Sequence, residues 1–343
     1  MSFGYQVLGF GSSANIASGI SYGTSAVLIG TIPNATTDPN NQYILTLSPS
    51  FPTSGVVYAI RASPTADGTF EVYKSTDSSA NWTRTITNQS GDGSLYGYSI
   101  LAISDSIVVV QHRADLYRST NSGSNFTHIQ NLTDPNGGQN NYGRLVWDGT
   151  YGMLPSYGSN NWYTDDSFES VSSQTTTPYM QAATPLSEDG NVFLKTGFGS
   201  SGSPKIIVTT DASAASLTNI QTIDHRAIVC ASDPHTSNVY FAISDKGDDD
   251  FWYATYPSTN LTAMDSGGSN NGSPHTDGVD VTNHGTMIYT KSDGGYYYNI
   301  GGTHTQFWSG DTIQCILSLD TAANAVQFVL ADGKVYGIDL PIT

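Results

Sequence analysis

Short runs of β-branched and aromatic residues recur along the chain in a fixed order. One set reads "QYILTL", "SILAIS", "GRLVWD", "AIVCAS", "GVDVTN" and "IQCILSL". A second set reads "GVVYAI", "SIVVVQ", "NVFLKT", "NVYFAI", "TMIYTK" and "AVQFVL". A third set follows in turn: "FEVYK", "ADLYR", "KIIV", "DFWY", "GYYY" and "KVYG". Clusters of Gly, Ser, Asn and Asp separate the runs, as expected of strands joined by turns. No segment carries a helical period.

The residue closing the third run serves as a ruler. Ser75, Ser119, Tyr163, Thr209, Ala254, Asn299 and Ile338 follow one another at steps of 44, 44, 46, 45, 45 and 39 residues. Seven or eight positions beyond most of them stands an apolar residue that opens a fourth run: Trp82, Phe126, Val171, Leu217, Leu261 and Phe307. Four strands in about 45 residues are the pattern of a β-propeller blade. The seventh unit stops at Thr343, before any fourth strand, whereas "SAVLIGTI", Ser25 to Ile32, precedes the first complete unit. Supplying the missing strand from the other end would cover both open sheet edges. The expectation is an all-β, seven-bladed β-propeller of four-stranded blades over residues 25–343, its last blade closed by a strand at 25–32. Residues 1–24 are then left as an N-terminal arm. Its apolar side chains, Phe3, Tyr5, Val7, Leu8 and Phe10 with Ile16 and Ile20, suit anchoring to a partner better than a solvated tail, the alternative being a segment folded back along its own propeller.

Two turns after the third run are near copies. "STDSSANW" spans Ser75 to Trp82 and "STNSGSNF" spans Ser119 to Phe126. They resemble the Asp-box of neuraminidase-type repeats, Ser-x-Asp-x-Gly-x-x-Trp. Ser75, Asp77 and Trp82 match it, with Ser79 in the glycine position. Ser119, Gly123 and Phe126 match it, with Asn121 for the acid. Thr209 and Asp211 form a fainter third copy. The resemblance implies an architectural role. Short hydroxyl and carboxylate side chains hydrogen-bond the backbone of a tight turn, and the aromatic fastens the turn to its blade.

Composition narrows the function. Only 12% of the residues are charged, and the formal net charge is -17. That balance disfavours nucleic acid and anionic membranes as partners. No apolar run is long enough to span a bilayer, and the start of the chain lacks the pattern of a secretory signal. Cys230 and Cys315 match no zinc spacing and are expected as buried free thiols.

An Asp-box propeller raises the sialidase chemistry of three arginines with a Tyr–Glu pair. The six arginines here are Arg61, Arg84, Arg113, Arg118, Arg144 and Arg226. No Arg-Ile-Pro motif is present, and the only glutamates are Glu71, Glu169 and Glu188, so the sequence does not support that constellation. No Asp pair with identifiable glycosidase spacing stands out, and no catalytic residue is assigned. The cluster "SDKGDDDFW" offers Asp245, Asp248, Asp249 and Asp250 as candidate calcium ligands, although it lacks the twelve-residue loop spacing and fits a solvated loop better. No other cofactor is expected. Connections after the second and fourth strands of propeller blades emerge on one side. Tyr96, Tyr142, Tyr179 and His225 fall in them and form a candidate binding face for a sugar or a protein.

The opening "MSFGYQVLGFGS" and the acidic, Ser/Thr/Asn/Gly-rich composition resemble structural proteins of marine tailed bacteriophages. The expectation is a non-enzymatic virion protein, head-decorating or tail-associated. It would be made in the host cytoplasm, joined to other capsid or tail proteins by its arm, and present a face to which a host-surface glycan is a candidate ligand. The alternative is a carbohydrate-binding or glycoside-hydrolase propeller. A cellular assembly factor with Asp-box repeats is a more distant third.

Overall fold

A computed structural model describes residues 20–33, 42–62, 69–90, 98–112, 114–132, 144–155, 160–175, 179–185, 193–198, 204–209, 217–222, 226–232, 238–244, 249–255, 262–263, 279–282, 284–291, 294–298, 304–319 and 322–342. These residues form seven antiparallel sheets of four strands, and the protein is an all-β propeller. Blade 1 holds Gln42–Leu47, Val57–Ala62, Thr69–Ser75 and Thr83–Ser90. Blade 2 holds Tyr98–Ala102, Val108–His112, Asp115–Ser119 and Thr127–Asn131. Blade 3 holds Val146–Trp147, Gly152–Leu154, Asn160–Thr164 and Ser172–Thr175. Blade 4 is built from Tyr179–Pro185, Phe193–Phe198, Pro204–Thr209 and Leu217–Thr222, and blade 5 from Arg226–Ser232, Asn238–Ser244, Asp249–Thr255 and Thr262–Ala263. Blade 6 contains Val279–Val281, Met287–Lys291, Gly294–Tyr298 and Thr305–Trp308.

Blade 7 draws on both ends of the chain. Ile313–Ser318, Ala325–Leu330 and Lys334–Asp339 pair in sequence, and Val27–Thr31 adds antiparallel to the last of them. Gly30 explains how the closing strand also meets blade 1. A Cβ there would lie 2.3 Å from the Ser79 carbonyl oxygen, so only glycine allows this approach. Ile32, fully buried just beyond the strand, joins the core shared by blades 7, 1 and 2.

The chain before the closing strand is held as well. The Asp339 carboxylate accepts hydrogen bonds from Ser21 Oγ and from the backbone N–H groups of Tyr22 and Gly23. Gln327 Nε2 donates to Tyr22 Oη at 2.6 Å. Residues 20–23, within the segment read as an arm, are therefore tied to blade 7. Phe3, Tyr5, Val7, Leu8 and Phe10 lie outside the described residues.

First strands of successive blades line the ring, and the described inner strands are buried at consecutive positions because both faces of a blade are covered by its neighbours. Leu101, Val109 and Leu116 of blade 2, for example, meet Leu145, Trp147, Leu154 and Trp162 of blade 3. The sequence carried no helical period. Among the described residues the one helix is a single turn, Phe51–Ser54, with a proline in its first turn and left-handed Gly55 (φ 63°) ending it.

Candidate functional site

Three turns between third and fourth strands share one construction. In blade 1, Ser75 Oγ donates to Asp77 Oδ1 at 2.8 Å and accepts from the Ser79 N–H, while Asp77 accepts from the Asn81 N–H. In blade 2, Ser119, Asn121, Gly123 and Asn125 repeat these bonds. In blade 3, Thr164, Asp166, Phe168 and Ser170 do the same. Hydrogen bonds, first that from Asn81, hold the Asp77 carboxyl below the usual aspartate value.

Two consecutive left-handed residues close each turn: Ser78 and Ser79, Ser122 and Gly123, Ser167 and Phe168. Glycine is the natural occupant of the second place, and its replacement by Phe168 hid the blade 3 copy from the sequence. Its visible signal was the hydroxyl-x-Asp pair Thr164 and Asp166, one position past the Tyr163 ruler mark. Trp82 and Val171 are buried behind their turns, and Phe126 packs partly buried against the core.

Each of these turns also receives a donor from the preceding blade. Lys74 Nζ of blade 1 donates to the Ser122 carbonyl, and Arg118 Nε of blade 2 to the Ser167 carbonyl. Gln327 Nε2 of blade 7 donates to the Ser78 carbonyl at 3.0 Å. The carbonyl of the first left-handed residue points outward from the turn and is the natural acceptor. The turns thus staple neighbouring blades.

Toward the other end of blade 1 lies a charged hub. Tyr43, Arg61 and Glu71 are cross-strand neighbours in the sheet, so their side chains share a face. Glu71 accepts from Tyr73 Oη at 2.6 Å, Arg61 Nη1 at 2.7 Å and Arg84 Nη1 at 2.9 Å. Burial alone would push the Glu71 carboxyl up, but the Tyr73 and Arg84 hydrogen bonds and the Arg61 charge outweigh it and hold the group below the usual glutamate value. Burial pushes the Tyr43 phenol up to about 12. A Tyr–Glu contact with two arginines was not anticipated from sequence. Strand alternation places Glu71, Tyr73 and Arg61 together only once the pairing register is known.

With its folded value lowered, Glu71 stabilises the protein above the unfolded glutamate value, and that contribution is lost as pH falls through the folded value. Arg84 is 38% exposed, so solvent discounts its share. Glu71→Gln is expected to cost about 1–3 kcal/mol at pH 7. The difference from wild type should shrink toward pH 3 in paired urea titrations. Equal stability at pH 7 would show that the hub does not hold the blade.

A third polar group sits in the first strands around the ring. Asp280 of blade 6 is fully buried and accepts from the Ser318 N–H of blade 7 at 2.9 Å and from its neighbour Val281 at 2.8 Å. Arg144, leading into blade 3, reaches the Cys315 sulfur of blade 7 at 3.7 Å. The Leu45 N–H of blade 1 donates to the same sulfur. Cys315 is a buried free thiol, as expected. Burial pushes the Asp280 carboxyl up to about 7, against the two backbone hydrogen bonds and the Arg144 charge. A raised acid keeps its proton in the folded state where the unfolded chain has lost it. Its contribution is therefore full below the unfolded aspartate value and is lost as pH rises through about 7. Asp280→Asn should remove this fall, which a pH series of thermal melts would record as a flatter profile. An unchanged slope would contradict the assignment.

The remaining sequence-derived positions are less fully placed. Tyr179 opens the first strand of blade 4, on the side expected for the candidate face. Tyr96, Tyr142 and His225 lie outside the described residues. Thr209 ends the third strand of blade 4, and Asp211 lies outside. Asp249 and Asp250 begin the third strand of blade 5, and Asp245 and Asp248 lie outside. Among the described residues no three metal-ligating side chains converge, and no helix is long and apolar enough to cross a membrane.

The architecture defines the class: a propeller of four-stranded antiparallel blades. Neither a family model nor a curated protein matches the sequence. Solved structures do match in fold. YCF48 bound to D1 peptide aligns at TM-score 0.61 and 10% identity, over 96% of this chain and 99% of that one. The extracellular domain of the one-component system BT4673 from B. thetaiotaomicron aligns at 0.61 and 8% identity, over 92% of this chain and 40% of that one. The GH74 xyloglucanase from Xanthomonas campestris aligns at 0.59 and 12% identity, over 92% of this chain and 54% of that one. The chain thus spans about half or less of the last two. At these identities the likeness is one of fold.

Proposed function

We infer that the chain is a non-catalytic propeller that presents a binding surface as a structural component of a bacteriophage virion. The observation that carries the non-catalytic reading is how four of the described carboxylates are used. Glu71 is held by three donors, Asp77 and Asp166 bond their own turns, and Asp280 is fully buried under backbone N–H groups. A general acid or base must reach substrate and exchange its proton there. These groups are spent on holding blades and turns instead.

The end-to-end likeness to YCF48, which is bound to a peptide, supports a propeller of this size as a recognition unit. The particle setting rests on the sequence: an acidic, Ser/Thr/Asn/Gly-rich chain whose opening resembles phage structural proteins. Phe3, Tyr5, Val7, Leu8 and Phe10 would dock it to a capsid or tail protein. The second reading, a carbohydrate-binding or glycoside-hydrolase propeller, is favoured by partly exposed aromatic rings on blades 6 and 7.

The test is proteomic analysis of gradient-purified particles, with a version lacking residues 2–19 compared in parallel. The expected result is stoichiometric incorporation that falls on deletion, with no glycan cleavage by the purified protein. Absence from particles, or hydrolysis of a glycan, would overturn the reading.

A further inference from the structure

Blades 6 and 7 form an aromatic shelf where they meet. Trp308 ends the fourth strand of blade 6, and Tyr336 lies in the third strand of blade 7. Their ring centroids are 4.8 Å apart with planes tilted by 46°. Both rest on Phe328, which is fully buried: it stacks on Tyr336 at 12° and meets Trp308 at 5.1 Å. Trp308 and Tyr336 themselves stay partly exposed. Leu28, opposite Tyr336 in the closing strand and 54% exposed, extends the apolar surface outward.

The shelf is fixed in place. The indole N–H of Trp308 donates to the Asp311 carbonyl at 3.0 Å, within the connection to the next blade. Gly310 lets the indole lie against that connection, since a Cβ there would be 2.7 Å from a ring carbon. The indole edge is therefore engaged, and the ring remains partly exposed. At the rim, Lys334 pairs with Asp332. Asp311 and Asp332 lie in connections on the side where the candidate face was expected.

We propose that this shelf binds a neutral glycan, with a pyranose ring stacked on Trp308 and flanked by Tyr336. A pyranose presents a face of C–H groups to an aromatic surface and hydroxyls to its rim. Lys334 and Asp332 offer a donor and an acceptor for those hydroxyls. Asp311 adds negative charge, and the chain carries -17, so an anionic sugar is disfavoured. A peptide adding to the edge of Val27–Thr31 is the competing occupant, but the bulge between Leu28 and Gly30 interrupts the ladder it would need.

The proposal rests on the reading of the chain as a binding propeller, and its failure is separable, because particle incorporation does not depend on the shelf. The full-length protein would be applied to an array of neutral, sialylated and sulfated glycans, together with a library of apolar peptides. The strongest neutral glycan would then be titrated by calorimetry against wild type, Trp308→Ala, Trp308→Phe and Gly310→Val, each checked for an intact melt. Binding to neutral glycans is expected, weakened about tenfold or more by Trp308→Ala and less by Trp308→Phe. Gly310→Val should also weaken it, although that residue supplies no ligand contact. If Trp308→Ala fails to fold, the other two variants carry the comparison. No neutral glycan bound at millimolar concentration, binding unchanged by all three variants, or preference for acidic glycans or peptides would each overturn the proposal.

Discussion

Removing residues 1–32 is expected to cost the protein most of its stability and to leave it aggregating. The deletion strips Val27–Thr31 from blade 7 and exposes the edge of Lys334–Asp339. It also removes Ile32, fully buried in the shared core, and the Asp339 and Gln327 contacts of Tyr22. Burial of one large aliphatic side chain contributes about 1.5–3 kcal/mol. With the strand hydrogen bonds added, the loss reaches the order of 5 kcal/mol, comparable to the whole margin of many folded proteins. Gly30→Val tests the same point without shortening the chain, because its side chain would run into the backbone of Ser79 and Ala80. It should also lower the melting temperature substantially. A truncated protein that melts like the full chain would contradict ring closure by this strand.

Trp82→Ala should be the most damaging single change at the turns. Trp82 is 7% exposed and belongs to the core shared by blades 7, 1 and 2. Truncating a buried tryptophan leaves a large cavity and costs about 3–5 kcal/mol. Phe126→Ala in blade 2 should cost less, since that ring is only partly buried. Urea titrations of the two variants would rank them. Equal costs, or a Trp82 variant as stable as wild type, would mean that the ring does not fasten the turn.

What the sequence revealed follows from what is local. A strand and its turn are written in neighbouring residues, so the repeat, the Ser75 and Ser119 turns and the closing role of Ser25–Ile32 were legible; the strand itself covers Val27–Thr31. The hub was not. Glu71 was visible as one of three glutamates, but its meeting with Arg61 and Arg84 depends on register across three strands. The ring-lining group was further out of reach, since Asp280 and Ser318 are 38 residues apart and Arg144 and Cys315 are 171 apart. Phe168 shows a third limit. A phenylalanine in a left-handed position is stabilised by its burial against Trp147, which no local rule foresees.

The closure of the ring of blades, and the aromatic shelf where blades 6 and 7 meet, depend on the two chain ends sharing one sheet. Thr31 and Lys334 are directly opposed in that sheet, a separation suited to a disulfide. The most direct measurement is to make Thr31→Cys and Lys334→Cys together, oxidise the folded protein mildly, and seek the linked peptide by non-reducing mass spectrometry. The account predicts near-complete linkage of positions 31 and 334 with unchanged circular dichroism and a raised melting temperature. Free thiols at positions 31 and 334 in the folded protein would contradict it.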